Sequence, residues 1–427
     1  MVTLNELPVA VIGAGPVGLA AAAHLVERGL TPLVLEAGEK VAASIRDWEH
    51  VRLFTPWSYL TDPACERLLD ANGWEKPPEK KVPFGRELVE QYLDKVAALD
   101  SISPHLRLGH KVISVTRDGH DRMKDGIRGK APFLIVAKTA EGQRRYRVQA
   151  VLDASGTWTT PNPMGASGIQ ADGEDVLGAN IRYGMPDVLG RERARYAGKR
   201  TLVVGSGHSA IGSVLSLAQL KKEDNDTLIA WAVRRKNPRK LWGGGSADEL
   251  AQRGALGTDV YEAVHSGAVT LLTGLSIGAL KRHPEGIEVV DVNGKSHVVV
   301  DEIVVATGAR PDLSMLRELR LEFDLATEST KSLGPLIDPN HHSCGSVRPH
   351  GVEELKHPED GFYIVGMKSY GRAPTFLLRT GYEQVRSVVA ELAGDHEAAR
   401  RVELVLPQTG VCSVDLAAEP APSGGCC

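Results

Sequence analysis

Apolar residues in this chain gather in short continuous runs rather than in strict alternation. Val9-Ala-Val-Ile12 and Leu33-Val34-Leu35 are two such runs, separated by a stretch of small and apolar residues long enough for a helix. A continuous apolar run bounded by turn residues is the mark of a strand covered on both faces, as in a parallel sheet. The arrangement recurs at Arg200-Thr-Leu-Val-Val204, followed by a helix-length stretch and then Leu228-Ile-Ala-Trp-Ala-Val233. Between the two copies, Leu88, Val89, Tyr92, Leu93 and Val96 have the spacing of an amphipathic helix over 86–98, and strand-like runs follow around 106–116, 132–139 and 144–153. Residues 161–198 are rich in Gly and Pro, keep no sustained period and read as a connector. Asp301–Ala306 and Gly361–Gly366 each read as a short buried strand ending in a turn, and Pro374–Leu392 as an amphipathic helix opened by a proline. Beyond residue 407 the pattern stops, and Ala417–Gly425 reads as a small-residue tail.

The residues between the paired runs supply chemistry. Gly13-Ala14-Gly15-Pro16-Val17-Gly18 places a glycine for a tight turn, a second for backbone bare enough to approach a pyrophosphate, and a third for close packing of helix on strand. The helix that follows points its N-terminal amides at the phosphates. The next strand ends at Glu36-Ala37, where a carboxylate is placed to accept from ribose hydroxyls. In the second copy, Gly205-Ser206-Gly207-His208-Ser209-Ala210 repeats the fingerprint with alanine third, which still permits close packing. Its second strand ends in Arg234-Arg235-Lys236 instead of an acid, and guanidinium groups there favour the 2′-phosphate of NADP. The plainer alternative is a solvated basic turn, since Arg239 and Lys240 continue the cluster. Ala154-Ser-Gly156 and Ala306-Thr307-Gly308 close the two copies, so one chain is built to bind two dinucleotides.

With 427 residues the chain has length for two or three domains. A net charge of −4, with no long stretch of one sign, argues against a nucleic-acid or anionic-membrane surface. The apolar N-terminus has no basic leader and its glycines serve a nucleotide turn, so we expect a cytoplasmic protein. Five cysteines are too few and too scattered for a secreted disulfide framework. Cys65 and Cys344 are isolated, whereas Cys412, Cys426 and Cys427 lie together near the end.

The two fingerprints and the two small-residue turns make residues 7–395 resemble the two-dinucleotide-domain flavoproteins, the superfamily of thioredoxin reductases and flavin-containing monooxygenases. The resemblance implies an α/β fold of two Rossmann-like domains, with the NADPH domain inserted into the FAD domain. In that scheme residues 1–165 and 321–400 form the FAD domain, 166–320 the NADPH domain and 401–427 a flexible tail. It implies FAD on Gly13, Ala14, Gly15, Pro16, Val17, Gly18, Glu36, Ala37, Trp48, Val112, Ala154, Gly156, Gly366, Met367 and Phe376. NADPH is implied on Gly205, Ser206, Gly207, His208, Ser209, Ala210, Arg234, Arg235, Ala306, Thr307 and Gly308. The aromatic loop from Ser44 to Trp57 would then border the flavin ring, although Trp48 and Trp57 read equally well as caps on a core. A homodimer is common in the superfamily.

The disulfide-reductase branch carries a cysteine pair two or four residues apart beside the flavin, and this chain has none; many reductases also place an Asp where Met367 stands. Ser155-Gly-Thr-Trp158-Thr-Thr-Pro161-Asn-Pro163 and Phe362-Tyr-Ile-Val-Gly366 resemble monooxygenase stretches. Departures are the missing histidine after Tyr183-Gly-Met-Pro and Phe54 near where many members have asparagine. The segments around His342-Ser-Cys344 and Gly366–Gly381, with the Cys-Cys tail, are similar to flavoproteins associated with bacterial arsenic-resistance genes. The implied activity is NADPH-dependent oxygenation of a soft nucleophile, trivalent arsenic or sulfur, with Cys412, Cys426 and Cys427 collecting the thiophilic substrate. The rivals are a reductase passing electrons to a disulfide or soft metal on that tail, and a non-catalytic arsenic or redox sensor. Cys344 with His341, His342 and His350 could form a metal site, but the spacing matches no compact ligand motif and reads more readily as ordinary loop near the flavin. Cys344, Cys412, Cys426 and Cys427 are the side-chain candidates for a flavin-centred catalytic site, the alternative for the Cys426-Cys427 pair being a reactive tail with no binding role.

Overall fold

The computed structural model describes residues 4–243, 250–341, 347, 350–374 and 376–404. They divide into two compact units, and the chain crosses between them at Thr160/Pro161 and Gly308/Ala309. The second unit is thus an insertion into the first. Both crossings fall ahead of the 165/166 and 320/321 boundaries expected from the sequence. The second follows directly on the turn Ala306–Gly308, and the first comes four residues after the turn Ala154–Gly156.

The first unit opens with β1 (Val9–Ile12), the helix Pro16–Glu27 and β2 (Pro32–Leu35). β3 (Leu106–Arg107) follows, then an antiparallel layer of β4 (Lys111–Arg117), β5 (Phe133–Thr139) and β6 (Gly142–Val148), then β7 (Ala150–Asp153). The run expected over 144–153 is therefore two strands: β6 belongs to the hairpin layer, and Gln149 marks the break before β7 joins β1 in parallel. The amphipathic stretch expected over 86–98 is helical from Gly85 to Ala97, with one wide turn at Val89–Leu93.

In the second unit β8 (Ile181–Tyr183), β9 (Arg200–Val204), β10 (Leu228–Val233), β11 (Thr270–Thr273) and β15 (Glu302–Val305) form a parallel sheet in the order β11-β10-β9-β15-β8. β12 (Ile277–His283), β13 (Gly286–Asp291) and β14 (Ser296–Val300) form a separate antiparallel layer. β8 corrects the reading of 161–198 as a connector. Three half-buried residues between glycine and proline segments carry no period, and only pairing with β15 makes them a strand. The chain returns to the first unit with β16 (Phe362–Ile364), which completes the order β16-β7-β1-β2-β3.

The inner strands of both parallel sheets are covered, which is why β1, β2, β9 and β10 are continuous apolar runs. Leu19 and Ala20–Ala23 are fully buried, and a helix of such small residues packs closely on β1. The hairpin layer is tied to the second chain segment of the first unit by a buried Arg117–Glu359–Arg128 triad. Glu359 also accepts from the Arg320 backbone N–H. Burial opposes charge on Glu359, but that amide and the two guanidinium groups outweigh it and hold the carboxyl below its ordinary range.

Candidate functional site

The carboxyl ends of β1 and β7 meet at a glycine turn. Gly13 has φ +99°, and a Cβ there would sit 2.8 Å from the Ala154 carbonyl oxygen. At Gly18 a Cβ would sit 1.9 Å from the Gly13 carbonyl oxygen, so glycine is what lets the helix Pro16–Glu27 lie against its own turn. Gly15 differs from both. A Cβ there meets nothing within 4 Å, and no side chain caps the helix it begins. Bare backbone over open space at an uncapped helix start is a cradle that a methyl group would fill and that a pyrophosphate suits. Val17 lies buried under it, against Gly366 and Gly381.

Glu36, at the end of β2, does more than the sequence implies. Its Oε2 accepts from Ala14 N at 2.7 Å and its Oε1 from Gly38 N at 2.8 Å, with only 8% of the residue exposed. The carboxylate is oriented from both sides, and each oxygen keeps lone-pair capacity for a hydroxyl. Ala37 beside it is exposed.

The second unit repeats this geometry. Gly205 has φ +135°, and a Cβ there would lie 2.2 Å from the Ala306 carbonyl oxygen. Gly207 faces open space, and its backbone (φ −88°, ψ 176°) matches that of Gly15 (φ −79°, ψ −174°) at the same helix position. Ala210 is fully buried where the first copy has Gly18, so a methyl is accommodated there. Ser206 and His208 are exposed, and the Ser209 carbonyl accepts from Ser213 Oγ. Arg234 and Arg235 follow β10 and are both exposed. Asn162 bonds the turn that closes this copy: its N–H donates to the Gly308 carbonyl at 2.9 Å and its Nδ2 to the Thr307 carbonyl at 3.2 Å. Gly156 and Gly308, ending the paired turns, have φ +69° and +82°.

The remaining expected positions fall into different surroundings. Trp48 is half-buried against Gly85, and Trp57 is a fully buried core residue, which is the plainer of its two readings. Val112 buries its side chain in the core beside a bulge of β4, leaving its backbone to meet any ligand. Met367 is half-buried among buried neighbours, and Phe376 packs edge-on to Tyr370 at 5.3 Å. Gln384 accepts from Gly366 N at 2.7 Å and donates to Ser369 Oγ and His350 Nε2, fixing the Gly366 turn from beneath. His350 is thereby a buried structural partner, and His341 is exposed in a turn.

Sequence reasoning missed Asp153, Lys368 and Gln384. Only Asp153 carried a signal, as an acid closing an apolar run. His342, Cys344, Cys412, Cys426 and Cys427 lie outside the described residues. Cys65 is fully buried, and its thiol is pushed well above the ordinary range by burial and then by the Asp62 charge. Among the described residues no three His, Cys, Asp or Glu side chains cluster to hold a metal, and no helix is long and apolar enough to cross a membrane.

The family model for pyridine nucleotide-disulphide oxidoreductases matches residues 10–343. A ferredoxin–NADP reductase of Cupriavidus necator is 23% identical over 305 residues, 70% of each chain. The bacillithiol disulfide reductase of Bacillus cereus superposes with TM-score 0.63 at 18% identity, covering 91% of this chain and 99% of its own. The cadaverine monooxygenase DfoA of Erwinia amylovora, solved with FAD, gives TM-score 0.63 at 13% identity over 94% and 98%. At such identities the two structures speak for the fold alone. The glycine cradles, the oriented acid and the family match agree: the chain belongs to the pyridine nucleotide-disulphide oxidoreductase family and is a two-domain oxidoreductase that binds FAD and NADPH.

Proposed function

We propose that the chain is an NADPH-dependent flavin monooxygenase acting on a soft nucleophile, with trivalent arsenicals as the leading substrate class. The observation that carries this reading is the state of its cysteines. The only cysteine among the described residues, Cys65, is sealed in the core with a raised thiol, and the sequence holds no pair two or four residues apart to pass electrons from a flavin to a disulfide. Bound FAD would supply hydride acceptance from NADPH and reactivity toward oxygen; the protein's part is binding, orientation and exclusion of water.

In this reading Gly15, Ala14 and Glu36 hold the FAD diphosphate and ribose, and Gly207, Arg234 and Arg235 hold NADPH. Trp158 Nε1 donates to Asp47 Oδ2 at 2.8 Å, which pins the residues after Gly156 against the helix Ala43–Asp47. This bond orders the stretch that resembles the monooxygenases. Cys412, Cys426 and Cys427 collect the arsenical, since thiolates prefer soft centres.

A second reading has one observation behind it: the Cupriavidus necator relative is named a ferredoxin–NADP reductase, and such an enzyme passes electrons to a protein acceptor. NADPH consumption by the FAD-loaded protein is therefore measured with arsenite, a thioether, a low-molecular-weight disulfide and ferredoxin, with and without oxygen. Monooxygenation predicts substrate loss equal to NADPH and oxygen consumed, with arsenite or thioether alone. Anaerobic turnover with ferredoxin or disulfide would move the assignment to a reductase. An absence of substrate-dependent NADPH turnover would favour a sensor.

A further inference from the structure

Asp153 ends β7 and Lys368 follows β16, the strand beside it. Both side chains stand at the carboxyl edge of the first unit's parallel sheet, the edge at which open α/β sheets bind ligands. Lys368 Nζ donates to Asp153 Oδ2 at 2.7 Å, with 1% and 0% of the two side chains exposed. Asp153 Oδ1 accepts from Ser155 N at 3.1 Å and Ser155 Oγ at 2.6 Å, and Lys368 donates also to Ser155 Oγ at 3.1 Å. The Asp153 carbonyl accepts from Val365 N at 3.0 Å. Ser155 itself is exposed. One carboxylate and one ammonium therefore tie the turn Ala154–Gly156 to the turn Gly366–Met367, directly beneath surface that a ligand can reach.

A buried ion pair is a poor source of stability, because desolvation offsets its attraction. What it supplies is a fixed geometry. We propose that Lys368 and Asp153 are positioning residues that hold the two flavin-facing turns in register, and that their charges set the electrostatic balance of bound FAD. The proposal rests on the first unit being the FAD site. It gives a reason for the third turn to read Gly366-Met367-Lys368: an uncharged Met367 stands half-exposed, and the charge is carried underneath it.

The two partners are distinguishable because they carry opposite signs. Reduced flavin carries negative charge at neutral pH. Lys368→Met leaves a carboxylate behind and disfavours reduction, whereas Asp153→Asn leaves an ammonium and favours it. Loosening of the turns alone would move both variants the same way.

The test measures FAD dissociation, apoprotein thermal stability and flavin reduction potential for the wild type, Lys368→Met, Asp153→Asn and the double variant. Each single variant is expected to weaken FAD binding by about tenfold or more. Their reduction equilibria should shift in opposite directions by about tenfold, roughly 30 mV for a two-electron couple. Asp153→Asn with Lys368→Met leaves no orphan charge, so it should regain apoprotein stability and a near-wild-type potential while still binding FAD weakly. Single variants that bind FAD as the wild type does, potentials that shift the same way, or a double variant with wild-type affinity would each overturn the proposal. If a single variant fails to fold, the double variant still decides the affinity question. Failure of the wild type itself to bind FAD would instead remove the reading on which the proposal rests.

Discussion

Replacing Gly15 and Gly18 separately by alanine should divide two roles that the fingerprint combines. At Gly18 the new Cβ would lie 1.9 Å from the Gly13 carbonyl oxygen, so the helix or the turn must retreat by about an ångström or more to restore contact. Forcing an extra methyl into a closely packed contact costs about 1–3 kcal/mol. The same retreat moves the helix start away from the turn, so FAD affinity falls too. At Gly15 the Cβ meets nothing within 4 Å and the backbone is one that alanine adopts readily. Alanine is the poorer helix cap by up to about 1 kcal/mol, but it also lowers the entropy of the unfolded chain by a comparable 0.4–1 kcal/mol. These terms nearly offset, leaving apoprotein stability within about 0.5 kcal/mol of wild type. A methyl in the cradle should nonetheless displace the pyrophosphate and raise the FAD dissociation constant by about tenfold or more, equivalent to 1.4 kcal/mol. Urea unfolding of apoprotein gives the first quantity and titration of flavin fluorescence the second. If Gly15→Ala bound FAD as tightly as the wild type, the cradle would not be the pyrophosphate site.

Other outcomes follow from the same geometry. Arg234→Ala and Arg235→Ala should each raise the KM for NADPH about tenfold with little effect on NADH, since a charge-assisted hydrogen bond contributes roughly 1.5–3 kcal/mol and exposure reduces it; equal effects on both cofactors would make the cluster a solvated turn. His357 is buried with Nε2 unpartnered, and burial lowers its pKa from 6.5 to about 4. The unfolded chain therefore takes up a proton that the folded one refuses, so this contribution to stability is complete above pH 6.5 and is lost as pH falls toward 4. His357→Phe should flatten urea stability across that window, and an unchanged slope would contradict the assignment. Cys65 should resist a thiol reagent until the protein unfolds, and Cys65→Ala should keep FAD binding; rapid labelling of native Cys65 would refute its burial.

The paired fingerprints were legible because their glycines are imposed by backbone geometry: Gly13, Gly18 and Gly205 each answer to one carbonyl oxygen. The repeat was legible for the same reason, since Ala154 and Ala306 stand opposite equivalent turns. β8 was not legible, because its residues gain strand geometry only from β15. Trp57 was ambiguous because an aromatic residue in a loop has the same local pattern whether it caps a core or borders a ligand. The Asp153–Lys368 pair joins residues 215 positions apart, and no spacing along the chain announces such a contact. Glu36 was assigned by its place after β2, but its anchoring by Ala14 and Gly38 appears only in three dimensions.

Delivery of oxygen from the reduced protein to a soft centre is followed with isotopically labelled dioxygen. The FAD-loaded protein is supplied with NADPH, 18O2 and either a thioether or a methylated trivalent arsenical, and the product is examined by mass spectrometry, promptly and against a control in labelled water, because arsenic oxyanions exchange oxygen with solvent. A monooxygenase incorporates one 18O atom from dioxygen into each product molecule, with one NADPH consumed for each. Label found only in peroxide, with substrate unchanged, would contradict that assignment.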